Sequence, residues 1–199
     1  VETEGEEGRY TGGARRTMAG SGKSGEGTAA RGDVSWADLG DAIVTFHSQC
    51  RQDEFCFRFF NGMNKGTFVE IGAHDGVRFS NTCFLERECG WHGLCVEPNP
   101  VAFLKLKHNR TCHCLNVAAG ERTEEAEFIK ASGDMENMSA LASVFDKPRF
   151  DHLAKTFQGG LETIRVNVLK TQDIFDRYCL TAVDYLSIDT DGSELNVLK

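Results

Sequence analysis

The order of hydrophobic runs predicts an α/β fold on a doubly wound, mostly parallel sheet. Short apolar runs at Thr67–Ile71, Leu94–Val96, Cys114–Ala118 and Tyr185–Ile188 are too brief for helices and are bounded by Gly, Pro or Asp. Helical stretches separate the first three, so two crossover units stand in sequence and call for parallel pairing with right-handed connections. Three of these runs end in an acidic group, at Glu70, Glu97 and Asp189, where open sheets take their ligands.

The chain has 199 residues, 40% of them hydrophobic, enough to fill the core of one ordinary domain. A net charge of −8 argues against nucleic acid as a partner, because tracking a phosphate backbone needs clustered Lys and Arg. No run approaches the roughly 18–20 apolar residues of a membrane-spanning helix, so no membrane segment is expected and the chain reads as soluble. It begins at Val1 rather than Met. The cytoplasm is the expected compartment, with the secretory pathway open to a chain whose signal or anchor lies upstream. None of the eight cysteines forms a CxxC pair, and Cys112-His113-Cys114 has no second ligand pair nearby, so no metal site is expected. Asn109-Arg110-Thr111 and Asn137-Met138-Ser139 match the glycosylation pattern, which matters only in the secretory pathway.

Residues 1–33 hold almost no aliphatic side chain and are expected to form a disordered tail. Gly20–Ser24 imitates the end of a phosphate-binding loop, but Thr17 replaces its first glycine and no strand precedes it. Residues 34–65 are expected to pack on the core. They begin with a capping box at Ser35 and a helix carrying Trp36, Leu39, Ile43 and Phe46 on one face. Phe55, Phe57, Phe59 and Phe60 mark a second buried segment, which leads to a turn at Asn64-Lys65-Gly66.

The main domain, 66–199, starts with the Thr67 run. A helix from about Ser80 to Glu88 is stopped by Gly90. Asn99 and Pro100 supply an N-cap and a first-turn proline for a helix to Asn109. Cys114–Ala118 makes the third strand, and Glu125–Ala131 and Thr163–Leu169 are extended pieces around a polar loop. Thr171 is placed to cap a helix through Tyr178, and Ser193 another after the last strand.

The strand ends carry the chemistry. Gly72 allows a sharp turn, and Gly76 allows close approach of the backbone to a bound molecule. His74 stands where a dinucleotide fingerprint needs glycine, so the turn suits a ligand without a pyrophosphate. Glu97, at the tip of the next strand, has the position that bonds ribose hydroxyls. Neighbouring carboxylates there repel one another unless a cation or donor groups sit among them, as a sulfonium nucleoside would provide.

The stretches Gly66–Gly76, Ser80-Asn81-Thr82, Cys95–Pro100, Asn116–Ala119 and Ser187–Glu194 together resemble the FkbM family of methyltransferases, in order and spacing from about Ser48 to Lys199. The resemblance implies a Rossmann-like sheet of the class I methyltransferase type. It also implies S-adenosylmethionine as cofactor and a methyl group moved to an oxygen of a sugar, lipid or other small-molecule acceptor. Carried over by position, Glu70, Gly72, Ala73 and Gly76 cradle the methionine half and Glu97 holds the ribose. Asn116, Val117 and Ala118 lie by the adenine, Asp189 faces the methionine amino group, and Asn81 and Pro98 stand in the matched stretches beside them. Asp191 and His74 are the candidate catalytic bases at the cofactor edge. Family members continue beyond the Asp-rich turn, so the chain is expected to be a fragment, truncated after its fourth core strand. A methyltransferase-fold binding or regulatory module without turnover is the alternative.

Overall fold

The computed structural model describes residues 45–131, 138–144, 148, 151–152, 155 and 160–199. The expected tail, the imitation phosphate loop, Trp36, Leu39 and Ile43 of the helix opened by Ser35 and the glycosylation residue Asn137 lie outside the described residues, whereas Phe46, expected on that helix, is in no helix and packs on Phe84. In chain order the elements used below are α1 (Gln52–Phe59), β1 (Thr67–Ile71), α2 (Cys83–Cys89), β2 (His92–Val96), α3 (Pro100–Asn109) and β3 (His113–Leu115). They continue with β4 (Ala118–Gly120), β5 (Glu124–Ala131), β6 (Ala140–Leu141), β7 (Leu161–Lys170), α4 (Thr171–Arg177), β8 (Tyr185–Ile188) and α5 (Glu194–Val197). Among the described residues no helix is long and apolar enough to cross a membrane.

The result is a mixed α/β fold with a parallel sheet in the order β3-β2-β1-β8 and a second sheet in the order β4-β7-β5-β6. Alternation along β1 explains why it sits at the centre. Phe68 packs in one cluster with Phe57 and Phe84, while Val69 and Ile71 pack in another with Leu94, Val96, Ile174 and Val197. Helices therefore cover both faces: α1, α2 and α3 on the first, α4 and α5 on the second. Phe68, Val69, Ile71, Leu94 and Val96 are at most 2% exposed, and each contributes about 1.5–3 kcal/mol through burial. Glu70, in step with Phe68, falls on the first face.

Local signals shape the helices around this sheet. Gly90 ends α2 in the left-handed region at φ 65°. Asn99 caps α3, its side chain accepting from Val101 N, with Pro100 at the first helical position. Asn109, of the first glycosylation pattern, is half-buried and its side-chain nitrogen donates to Asp75 O at 2.9 Å.

Several expectations are corrected. The third strand is not continuous, because β3 stops at Leu115 and β4 joins the second sheet. Between them the Asn116 side-chain nitrogen donates to Glu97 O and Pro98 O, at 2.7 and 3.1 Å, and draws the chain across the end of β2. The two extended pieces expected around a polar loop are β5 and β7, joined in an antiparallel ladder from Glu124↔Val168 to Ala131↔Leu161. Thr171 is not a cap but the first residue of α4, and its hydroxyl donates to Val197 O at 2.7 Å. Ser193 precedes α5 without a side-chain cap bond. The nearby donors go to Glu194 instead, whose Oε1 accepts from the N–H of Thr190 and Gly192. The expected buried phenylalanine segment is α1 and its C-cap. Phe57 is buried and Phe60 packs on Trp91, whereas Phe55 and Phe59, one helical turn apart, are 69% and 70% exposed.

Candidate functional site

The tips of β1, β2 and β8 are locked together by backbone bonds. Gly72 N and Ala73 N both donate to Val96 O, and Asp189 N donates to Ile71 O. Gly72 sits at φ +87°, and a Cβ there would lie 1.8 Å from Asp189 O, so no other residue lets the two strand ends approach this closely. Above this junction opens a pocket at the carboxyl ends of the strands, where open sheets take their ligands. Gly72, His74, Glu97, Pro98, Val117, Ala118, Asp189 and Asp191 line it. A second cavity shares Gly72, His74, Asp189 and Asp191 and adds Ala73 and Asn81.

Glu70, Gly76 and Asn116 line neither cavity. The Glu70 carboxylate is occupied by the chain itself: Oε1 accepts from Asn81 N at 2.6 Å, and Oε2 from Ser80 Oγ, Thr82 Oγ1 and Arg110 Nη1 at 2.9, 2.6 and 3.3 Å. The cause is alternation along β1, which aims Glu70 at α2 rather than over the strand tip. Gly76 makes its close approach to Arg110 and Leu106, whose side-chain carbons would lie 2.7 and 2.6 Å from an added Cβ. Of the three acidic strand ends, Glu97 and Asp189 therefore meet at the pocket, while Glu70 holds the turn behind it.

That turn is organised by residues the sequence did not point to. Arg110 is buried and donates to Glu70, Glu86, Gly76 O, Ser80 Oγ and Thr82 Oγ1. One guanidinium thereby links β1, α2 and the Gly72–Thr82 turn. The only sequence signal at Arg110 was the glycosylation pattern around it. The wall opposite the strand tips comes from the second sheet, through Phe128, Ser139, Ala140 and Leu141. No spacing in the sequence connects Phe128 with Gly72.

The electrostatics follow from these contacts. Glu97 accepts from His74 N and Asn99 N, both at 2.8 Å, and is 6% exposed. Partial burial, then the charges of Glu194 and Glu70, push the Asp189 carboxyl up. Asp75 is affected by burial, which raises it, but hydrogen bonds from His74, Val77 N and Arg78 N prevail and hold it at about 2. His74 and Asp191 both have positive φ, 48° and 56°, a conformation that costs energy for residues other than glycine. Asn81 Nδ2 donates to Ser187 Oγ at 2.9 Å, and its buried Oδ1 has no hydrogen-bond partner among the described residues. No group of three or more His, Cys, Asp or Glu that could hold a metal is found among the described residues.

The chain is thus a mixed α/β domain with a pocket over the carboxyl ends of parallel strands and acidic groups at two of the tips. Residues 70–199 match the family described as Methyltransferase FkbM domain, and the chain belongs to that family of methyltransferases. No curated protein and no solved structure matches the chain.

Proposed function

We propose that the chain transfers a methyl group from S-adenosylmethionine to a hydroxyl oxygen of a sugar, lipid or other small metabolite. In this reading 66–199 is a class I, Rossmann-like methyltransferase domain, and the described residues 45–65 pack on it. The supporting observation is the meeting of Glu97 and Asp189 around Gly72 at one pocket. The cofactor, when bound, supplies a methyl group on a positively charged sulfur.

The residues fit such a molecule. Glu97 lines the pocket and, as a carboxylate, can accept from ribose hydroxyls. Val117, Ala118, Phe128 and Leu141 offer apolar surface to an adenine. Asn81 Oδ1, a buried acceptor without a partner, and the Asp189 carboxylate border one cavity and suit an amino group. A cation beside Asp189 would also relieve the repulsion that pushes its carboxyl up. His74 and Asp191 border both cavities, where either can take the proton of an acceptor hydroxyl. Holding the acceptor oxygen about 3–3.5 Å from the methyl carbon contributes most, and a base adds about 10²–10⁴-fold.

Titration calorimetry with S-adenosylmethionine tests the cofactor, and absence of binding refutes it. Methyl transfer to glycan and lipid extracts then separates an enzyme from a binding module. Asp191→Asn at saturating cofactor is expected to lower turnover at least tenfold, and an unchanged rate removes Asp191 as the base.

A further inference from the structure

We propose that Cys95 and Cys112 are a disulfide-forming pair that ties β2 to the segment between α3 and β3. Their sulfurs stand 3.6 Å apart, leaving about 1.5 Å to close for a bond of about 2.05 Å. Cys95 points from β2 into the first core cluster, is fully buried, and its sulfur lies 3.8 Å from Glu70 Oε2. Cys112 is half-buried and lines an open cavity with Thr67, His92 and His113, at the amino ends of β1, β2 and β3. Cys112 therefore borders space open to solvent, and the Cys95 sulfur lies beside its own.

The backbone around Cys112 is already anchored. Thr111 N and Cys112 N donate to Glu86 Oε1 at 2.8 and 3.1 Å, and Arg110 precedes them in its five-bond socket. A bridge from Cys112 to Cys95 adds a covalent tie to a segment the fold already holds in place. Cys114 is the competing partner: its sulfur lies 3.5 Å from the Cys112 carbonyl oxygen, and it pairs in register with Cys95.

Hydrogen peroxide is a sufficient oxidant. The Cys112 sulfur attacks one peroxide oxygen, the O–O bond breaks and water leaves, giving a sulfenic acid. The Cys95 sulfur then attacks that sulfur, the S–O bond breaks, and a second water carries off the hydroxyl and the remaining thiol proton. Two thiols and one peroxide become one disulfide and two waters, with two electrons passing from sulfur to oxygen. Burial pushes the Cys95 thiol up; at Cys112 a hydrogen bond with Cys114 pulls the thiol down, but hydrogen bonding to Cys95 and burial together outweigh it and push it up, so little thiolate is present and the reaction is slow.

The intact chain is incubated with hydrogen peroxide for hours, unfolded, alkylated and mapped by mass spectrometry. The expected product is a peptide joining Cys95 to Cys112, lighter by about 2 Da for the two hydrogens lost. It should be absent from Cys112→Ser and retained in Cys114→Ala. Alkyl groups on both Cys95 and Cys112 in a sample whose exposed Cys50 and Cys179 are oxidised would overturn the proposal, as would a Cys112–Cys114 bridge. The map of the unsubstituted chain decides the matter even where a variant fails to fold.

Discussion

Arg110 makes five hydrogen bonds out of water, two of them to carboxylates, and lies 5.3 Å from the Phe68 ring centroid. Removing one partner of such a group leaves the others charged and buried. Arg110→Met should therefore lower stability by about 3–5 kcal/mol, read from urea unfolding. Asp75 gives a pH signature of the opposite kind, a folded-state pKa near 2 against an ordinary 3.8. Because its folded value is depressed, its contribution is complete above 3.8 and is lost as pH falls towards 2. The shift corresponds to about 2 kcal/mol. Acid titration of Asp75→Asn should lack that loss while the parent chain shows it, and parallel curves would remove Asp75 as the cause. Neither residue was legible as structural. Burial and partners are properties of position, and the sequence holds only the side-chain type.

The elements that follow local rules were readable. β1 and the helix opened by Asn99-Pro100 lie where the sequence places them, because a short apolar run and an N-cap act over a few residues. Asn99→Ala should cost about 1 kcal/mol in thermal or urea unfolding. Asn99 N also donates to Glu97, so the start of α3 and the candidate ribose residue share a backbone. Other local signals were outbid. Thr171 and Ser193 carry capping side chains, yet Thr171 bonds to Val197 O and Glu194 collects the donors near Ser193. The Cys114–Ala118 run looks like one strand, but Asn116 is held by β2 and splits it between sheets.

At the scale of the molecule, the pocket depends on two sheets meeting. Phe128 is 2% exposed, packs with Ala118, Val166 and Val168 of the second sheet and also lines the pocket. If the proposed cofactor binds, a concentration a hundred times Kd should add about 2.7 kcal/mol of stability. Phe128→Ala should weaken binding, measured by calorimetry, whereas Glu127→Ala on the exposed side of the same strand should leave it unchanged. Equal losses would show that the second sheet supports the fold without shaping the site.

The sequence by itself determined the parallel core, the glycine turn after β1 and the acidic tips at Glu97 and Asp189, because each rests on alternation, capping or backbone freedom within a few residues. Only the tertiary structure decided that Glu70 turns inward to Arg110 and that Phe128 and Leu141 wall the pocket. It also decided that Cys95 and Cys112 face each other. Those outcomes depend on which distant segments share a face once the sheets are packed, and such contacts have no period or spacing along the chain.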